Sequence, residues 1–366
     1  MNPLFRPRHR RAPAPLAAAI AAALTLAPCA AQAASSVTLY GIMDAGLEYT
    51  SHAAPQGGDS FKLRSDTKNT SRWGLRGVED LGGGLQAVFR LESGIDIANG
   101  TLDDGADSIF GRRAVVGLKG KWGELTLGRN FTVTYDYVLP FDPMGYAQNY
   151  SWATSSTASG NRKDGLFTRA SNAVRYDGEF GDFRFGAMVG LGNTPGSVKT
   201  SSKYGVAGGY EHGPFAAVLT FDRQNGANDS VLPADPVNYA QQIHAALSYD
   251  FGKLKTMAGY RNYRRSLHAG DVTQLSDTYW LGGSYQFTPT FTLIAAVYHQ
   301  DLKGGTDADP TLVSLRANYA LSKRTVLFAS GGFAFALHGQ NTSVSRDLVG
   351  YASNQVGATL GIQQRF

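Results

Sequence analysis

The chain has 366 residues, a formal charge of +5 and a single cysteine. One thiol excludes a disulfide framework and a multi-cysteine zinc site. The charge excess is concentrated at the N-terminus, in a segment that does not read as part of the working protein.

Residues 1–34 have the layout of a secretory signal peptide. Arg6, Arg8, Arg10 and Arg11 form a positive region, residues 16–26 are apolar, and "AQA" ending at Ala33 is a small-x-small cleavage site with Ala34 adjacent. The apolar run is far short of the ~20 residues a membrane-spanning helix needs. Removing the four arginines leaves 30 basic residues against 29 acidic, a net charge of +1. No basic excess remains to support a nucleic-acid partner. Cys29 leaves with the same segment; "LAPC" resembles a lipoprotein acceptor site, but Pro28 stands where a small residue is expected.

From residue 35 the chain alternates apolar with polar or small residues, the period of a strand. In "SSVTLYGIMDAGLEY", Val37, Leu39, Met43, Ala45, Leu47 and Tyr49 share one face, with Asp44 and Glu48 on the other. In 71–78, Trp73 and Leu75 oppose Arg72 and Arg76; in 85–92, Leu85, Ala87, Phe89 and Leu91 oppose Arg90 and Glu92. In 114–119, Ala114, Val116 and Leu118 face out, which puts Arg113 and Lys119 inside and Arg112 outward. The same alternation returns in "FRFGAMVGL", "IHAALSYDF" and "TLVSLRANYAL".

Between the strand-like "GELTLGRN" and "SNAVRYDGE" lie 39 residues, 131–169, with no sustained period. A connection this long inside a β chain is usually functional or disordered. Its second half is rich in Ser, Thr and Gly. Its first half, "YDYVLPFDPMGY", carries aromatics, two prolines, Asp136 and Asp142, the composition of a loop packed against something. We expect it to fold into a barrel and narrow a pore.

Seven tight turns, around 80–84, 120–123, 179–182, 211–214, 250–253, 287–290 and 321–324, are rich in Gly or Pro. Eight longer loops separate them, around 51–69, 96–107, 131–169, 193–202, 225–238, 265–275, 302–310 and 338–353. That count implies sixteen strands with both termini at the short-turn end. The segments are long for a soluble sandwich, their polar faces carry charge throughout, and aromatics recur beside the short turns (Trp122, Tyr249, Phe251, Tyr285, Phe287, Tyr319). These features favour an all-β, 16-stranded antiparallel transmembrane barrel with a polar lumen and interfacial rings.

The segments "SSVTLYGIMDAGLEY", "SRWGLRGVEDLGGGLQAVFRLESG" (71–94), "FGRRAVVGLKGKWGELTLGR" (110–129), "NAVRYDG" (172–178) and the terminal "GIQQRF" resemble the general porins of β-proteobacteria, of the Burkholderia and Neisseria type. The resemblance covers residues 35–366. It implies an outer-membrane channel, usually a homotrimer, for ions and small hydrophilic solutes, set in lipid and lipopolysaccharide. It implies that the third long loop, 131–169, is the constriction, that the first and last strands form the subunit contact, and that the second loop, 96–107, reaches a neighbour. The family pattern emphasises Arg112 where parity prefers Arg113. Phe366, in phase with Ile362, Leu360 and Val356, resembles the signal read by the outer-membrane assembly machinery; Gln364 breaks that apolar phase.

A pore needs a narrow place with a transverse field, not a nucleophile. Parity therefore nominates a basic cluster, Arg72, Arg76, Arg90 and Arg113, facing an acidic loop rim of Asp136 and Asp142. No cofactor motif appears; "DLGGG" is a strand turn with no helix after it. A substrate-specific channel is the nearest alternative, with Tyr135, Tyr137, Phe141, Tyr146 and Tyr150 as its row of aromatics. A barrel enzyme would need a histidine beside a carboxylate or serine. His52, His212, His244, His268, His299 and His338 are scattered and carry no motif. A secreted adhesin is the remaining class. The acids Asp103, Asp104 and Asp107 could meet calcium or lipopolysaccharide.

Overall fold

A computed structural model describes residues 36–103, 108–156, 164–165, 167–226, 238–267, 271–303 and 309–366. The signal segment 1–34, Asp104, Asp107 and His268 lie outside the described residues.

Sixteen antiparallel strands close into one barrel. They are β1 Ser36–Thr50, β2 in two pieces Ser60–Ser65 and Arg72–Gly82, β3 Leu85–Asp96, β4 Arg113–Gly120, β5 Gly123–Phe131 and β6 Arg169–Phe180. There follow β7 Phe183–Gly190, β8 Lys203–His212, β9 Phe215–Asn225, β10 Tyr239–Asp250 and β11 Leu254–Leu267. The last five are β12 Asp271–Gln286, β13 Phe291–Lys303, β14 Thr311–Ala320, β15 Thr325–Phe335 and β16 Asn354–Arg365. Closure runs from Ile42↔Arg365 to Thr50↔Gly357 between β1 and β16. No edge is left to face hydrocarbon, the condition a sheet must meet to cross a bilayer.

Side chains sort as the alternation requires, and the sorting is inverted relative to a soluble protein. On β14, Val313, Leu315 and Tyr319 are 45, 50 and 51 % exposed on the outside, while Ser314 and Arg316 are buried inside. Phe183, Phe185, Ile243, Leu247, Val116 and Leu360 are likewise exposed outward. The outer belt is apolar; the lumen face carries the hydroxyls, amides and charges.

Three loop expectations are corrected. The sixth long loop, expected over 265–275, shrinks to the residues between Leu267 and Asp271, because β11 and β12 pair across a register shift at Arg265/Ser266 nearly to their tips. The second loop runs on to Arg112, since β4 starts only at Arg113. The first, expected as one loop over 51–69, contains the outer piece of β2.

The described residues begin, at Ser36, and end, at Phe366, at the short-turn end. Gly41 and Phe366 exchange two backbone hydrogen bonds at 3.1 Å, which places the Phe366 ring over Gly41. A Cβ on residue 41 would collide with that ring and lie 2.7 Å from the Arg72 carbonyl. Gly41→Val should therefore unseat Phe366 at a cost of about 1–3 kcal/mol. Heat-modifiable gel migration measures this; an unaltered unfolding transition would show that the ring needs no glycine beneath it.

Candidate pore constriction

The third loop enters the barrel as a short helix, α1 Val133–Val138, followed by a 3-10 turn over Leu139–Phe141. Thr132 caps the helix, its hydroxyl accepting from the Tyr135 amide at 3.2 Å. Pro140 suits the first turn of the 3-10 segment, where no amide donor is needed. The loop then crosses the lumen and packs on the inner wall, with Val133, Val138, Met144, Tyr150 and Trp152 fully buried.

The wall makes room with small residues. A Cβ on Gly186 would come within 3.0 Å of Tyr137, and one on Gly332 or Gly357 within 2.5 and 2.9 Å of Tyr150. Ala207, Ala246, Ala296 and Ala334 are buried in the same cluster. A loop this long carries many polar groups into a space with little water, and each needs a partner.

Buried charges supply the main anchors. Glu48 of β1 accepts from Asn149 Nδ2 at 2.6 Å and from Arg64 at 3.0 Å, and Arg64 also holds Gln148 at 2.6 Å. Asp164 pairs with Arg261 of β11 at 2.9 Å, with neither side chain exposed to solvent. Asp164 also accepts from Ser276, Gln300 and the Ser156 amide. Arg316 holds the Met144 carbonyl at 3.1 Å, and Arg346 of the last long loop holds the Tyr146 carbonyl at 3.1 Å. The Tyr150 amide donates to Val344 at 2.9 Å, so the last loop is zipped to the third inside the barrel.

Asp142 corrects an expectation. It is not on an open rim: it is 4 % exposed. It accepts from the Tyr146 amide and the Ser151 hydroxyl, each at 2.7 Å, and from the Tyr298 hydroxyl of β13. Its charge is consumed in holding the loop's own bend. Of the five aromatics proposed as a luminal row, Tyr135 is half-buried, stacked on Phe131 at 4.7 Å, and the other four are packed. Tyr137, Phe141, Tyr146 and Tyr150 are at most 6 % exposed, and burial raises the Tyr137 and Tyr146 hydroxyl pKa values above the ordinary phenol value.

Asp136 on α1 lies directly against the basic wall, not across a gap from it. It accepts from Arg113 at 3.2 Å and from Arg175 of β6 at 2.6 Å. Arg175 also grips Asp177 through Nε and Nη2 at 2.7 and 2.9 Å and the Phe131 carbonyl at 2.9 Å. Arg175 is not among the residues nominated by parity, although the outward Val174 of "NAVRYDG" turns it inward. Arg112 also points in, against the parity assignment. It precedes β4, so the alternation does not reach it, and its Nε meets Glu92 at 2.8 Å. Arg112 and Arg113 both lie over the Phe131 ring, 5.3 and 4.9 Å from its centroid. Arg72 donates to the Thr70 carbonyl at 2.9 Å and sits 3.9 Å from Glu92.

Beside this cluster is an open cavity of about 520 Å³, lined by Arg76, Arg90, Arg113, Lys119 and Arg175 and by the acids Glu124, Asp136 and Asp177. A second, of about 440 Å³, shares Lys119, Asp136 and Arg175 and continues to Arg184. Two of the three acids are bonded to arginines. Arg90 and Lys119 have no ion pair among the described residues, and Arg76 only overlies the Tyr40 ring at 5.7 Å. The open wall is therefore positive. Among the described residues no group of three or more His, Cys, Asp or Glu could hold a metal.

Residues 17–336 match a family model described as Gram-negative porin. The outer membrane porin protein 32 of Delftia acidovorans is 33 % identical over 372 residues, covering 95 % of this chain and 99 % of its own. Among solved structures, an anion-selective porin from Comamonas acidovorans aligns with a TM-score of 0.77 at 26 % identity, covering 91 % of this chain and 100 % of that one. OmpT of Vibrio cholerae, folded in vitro and solved in a trimer form, gives 0.67 at 16 % identity over 91 % and 99 %, a likeness of fold alone.

The fully buried Asp164–Arg261 pair gives a direct test of the anchoring. Arg261→Met leaves a buried carboxylate without its cation, at a cost of about 3–5 kcal/mol, whereas replacing that carboxylate by a neutral amide removes the unpaired charge and keeps an acceptor for its other donors. The single variant should show protease cleavage within the third loop; Arg261→Met with Asp164→Asn should restore protection. Equal protection in the wild type and the single variant would show that the pair does not seat the loop.

Proposed function

The chain belongs to the Gram-negative porin family, and we propose that its constriction prefers anions. The coarse function follows from that membership: it is an outer-membrane porin, a water-filled channel for passive diffusion of ions and small hydrophilic solutes. The porin family is not an enzyme family.

The observation that carries the proposal is the imbalance along the open wall. Arg76, Arg90 and Lys119 line the cavity with no carboxylate bonded to them, while Asp136 and Asp177 are held by arginines. A permeating anion meets three unneutralised cations, Arg76, Arg90 and Lys119; a cation meets one carboxylate without an ion pair among the described residues, Glu124. The anion-selective porin from Comamonas acidovorans has the same fold at 26 % identity, which supports the reading. Of the six residues nominated at the constriction, we keep Arg76, Arg90, Arg113 and Asp136. Arg72 serves the neighbouring strand break, and Asp142 serves the loop. A substrate-specific channel loses its motivation, because four of the five aromatics in its proposed row are the packed interior of the loop.

Arg76→Ser together with Arg90→Ser should move the zero-current potential in a potassium chloride gradient toward the potassium potential. Planar-bilayer recording reads this directly. A cation-selective wild type would overturn the anion preference; an unmoved potential in the double variant would remove these two residues from its cause.

We also propose a homotrimer, with lipid and lipopolysaccharide around its rim and Phe366 as the mark read during assembly. Support comes from the trimer form of OmpT, which shares the fold. The protein should migrate on denaturing gels as one large species that collapses to a monomer on heating. A monomer in mild detergent without heating would count against the trimer.

A further inference from the structure

Six residues, 66–71, leave the sheet for the lumen, and the constriction does not account for them. On β1, Ala45 pairs with Ser65 and Ile42 with Arg72. Two residues of β1 thus face six of β2, far more than the single extra residue of a β-bulge. The surplus folds inward: Asp66, Thr67 and Ser71 are 4, 2 and 0 % exposed.

This segment is fixed at both ends. Asp66 closes its neck, accepting from the Ser71 amide at 2.6 Å and the Ser65 hydroxyl at 2.7 Å. Its tip is clamped on Asp44. That carboxylate accepts from the Lys68 and Asn69 amides at 3.0 and 3.2 Å, the Thr67 hydroxyl at 3.0 Å and Gln363 of β16 at 2.9 Å. Asn69 accepts from Gln363 at 2.9 Å and donates to the Gly145 carbonyl of the third loop at 3.5 Å. The result is a rigid ledge across β1 and β16 that meets the constriction loop.

Lys68 stands at the tip. It is partly exposed, and its Nζ lies 5.8 Å from the centroid of Phe328 on β15. The charged groups that face it are Arg316 of β14, Arg365 of β16 and Asp44 of β1. Asp44 is spent on the ledge's own donors, and the ammonium has no ion pair among the described residues. The surroundings of Lys68 are therefore positive.

We propose that the ledge 66–71 is a second selectivity element of the pore and that Lys68 is a specificity-determining residue, a cation offered to permeating anions from the β15–β16 side. Burial first, then Arg316 and Arg365, bring its pKa down to about 8, so its charge is present at pH 7 and fades above it. An arginine side chain keeps its charge throughout that range. The anion preference proposed above sets only the sign of the effect; the zero-current potential of the wild type tests that reading, and the shift caused by residue 68 tests this one.

The experiment records zero-current potentials in a potassium chloride gradient at pH 6.5 and 9.5 for the wild type, Lys68→Met and Lys68→Arg, after gel migration has shown each to be a folded barrel. Removing one unit charge within a Debye length of the path should lower the chloride-to-potassium permeability ratio about twofold at pH 6.5. The wild type should drop by a similar factor on going to pH 9.5. Lys68→Met should show little pH dependence, and Lys68→Arg should keep the high ratio at both values. A Lys68→Met ratio equal to wild type at pH 6.5, or an undiminished pH response in Lys68→Met, would overturn the proposal.

Discussion

A carboxylate cannot stay ionised where water is scarce unless donors or a cation surround it, and the inside of this channel is built on that constraint. Asp44, Glu48, Asp142 and Asp164 are 0, 1, 4 and 2 % exposed. Each stands at a junction between the wall and a segment that has left it. Asp44 gathers two amides and a hydroxyl of the ledge, Glu48 the Asn149 end of the third loop, Asp142 the loop's bend against β13, and Asp164 its far limb against β11, β12 and β13. Without these acids the inserted segments would bring backbone donors into a narrow space with no acceptor. Gly186, Gly332 and Gly357 complete the arrangement from the other side, since a side chain there would push Tyr137 or Tyr150 off the wall.

Charge in the lumen is thereby divided between two tasks. Groups bonded to an opposite charge build the pore: Arg261 with Asp164, Arg112 with Glu92, Arg175 with Asp136 and Asp177. Their fields largely cancel within a few ångströms. In the proposed selectivity, the groups left without an ion pair act on the permeating ion: Arg76, Arg90, Lys119 and Lys68, with Glu124 opposing them. A permeating ion feels charges within about a Debye length, ~8 Å at physiological salt. It therefore responds to the second set far more than to the first.

Strand alternation made the barrel legible in the sequence. It placed Arg90, Arg113 and Lys119 inside, because residues within a strand must follow a period of two. It failed where the strand stops. Arg112 sits one residue before β4 and turns inward to Glu92, where counting from Val116 would send it out. The break in β2 was invisible for a related reason: "DTKNTS" has the polar composition of any outer loop, and only the register against β1 shows it inside. Asp142 was misjudged because sequence cannot distinguish an acid that faces solvent from one that accepts four hydrogen bonds. Arg175 was readable and missed, since "AVRYD" alternates as clearly as the segments that were counted.

The mature chain is expected to carry a net charge of only +1, yet its open wall is strongly positive. The acids explain how both hold. They nearly equal the bases, 29 against 30, but Asp44, Glu48, Asp142 and Asp164 are buried at the junctions, where the loop and the ledge consume them. On the proposed reading, selectivity follows from which charges the inserted segments leave over, not from how many the chain contains. A relative with the same net charge but a differently anchored third loop would free different acids and could reverse its preference without any change in barrel size. On that reading the inward-folded third loop shapes the pore twice: by the space it fills, and by the carboxylates it takes out of the field.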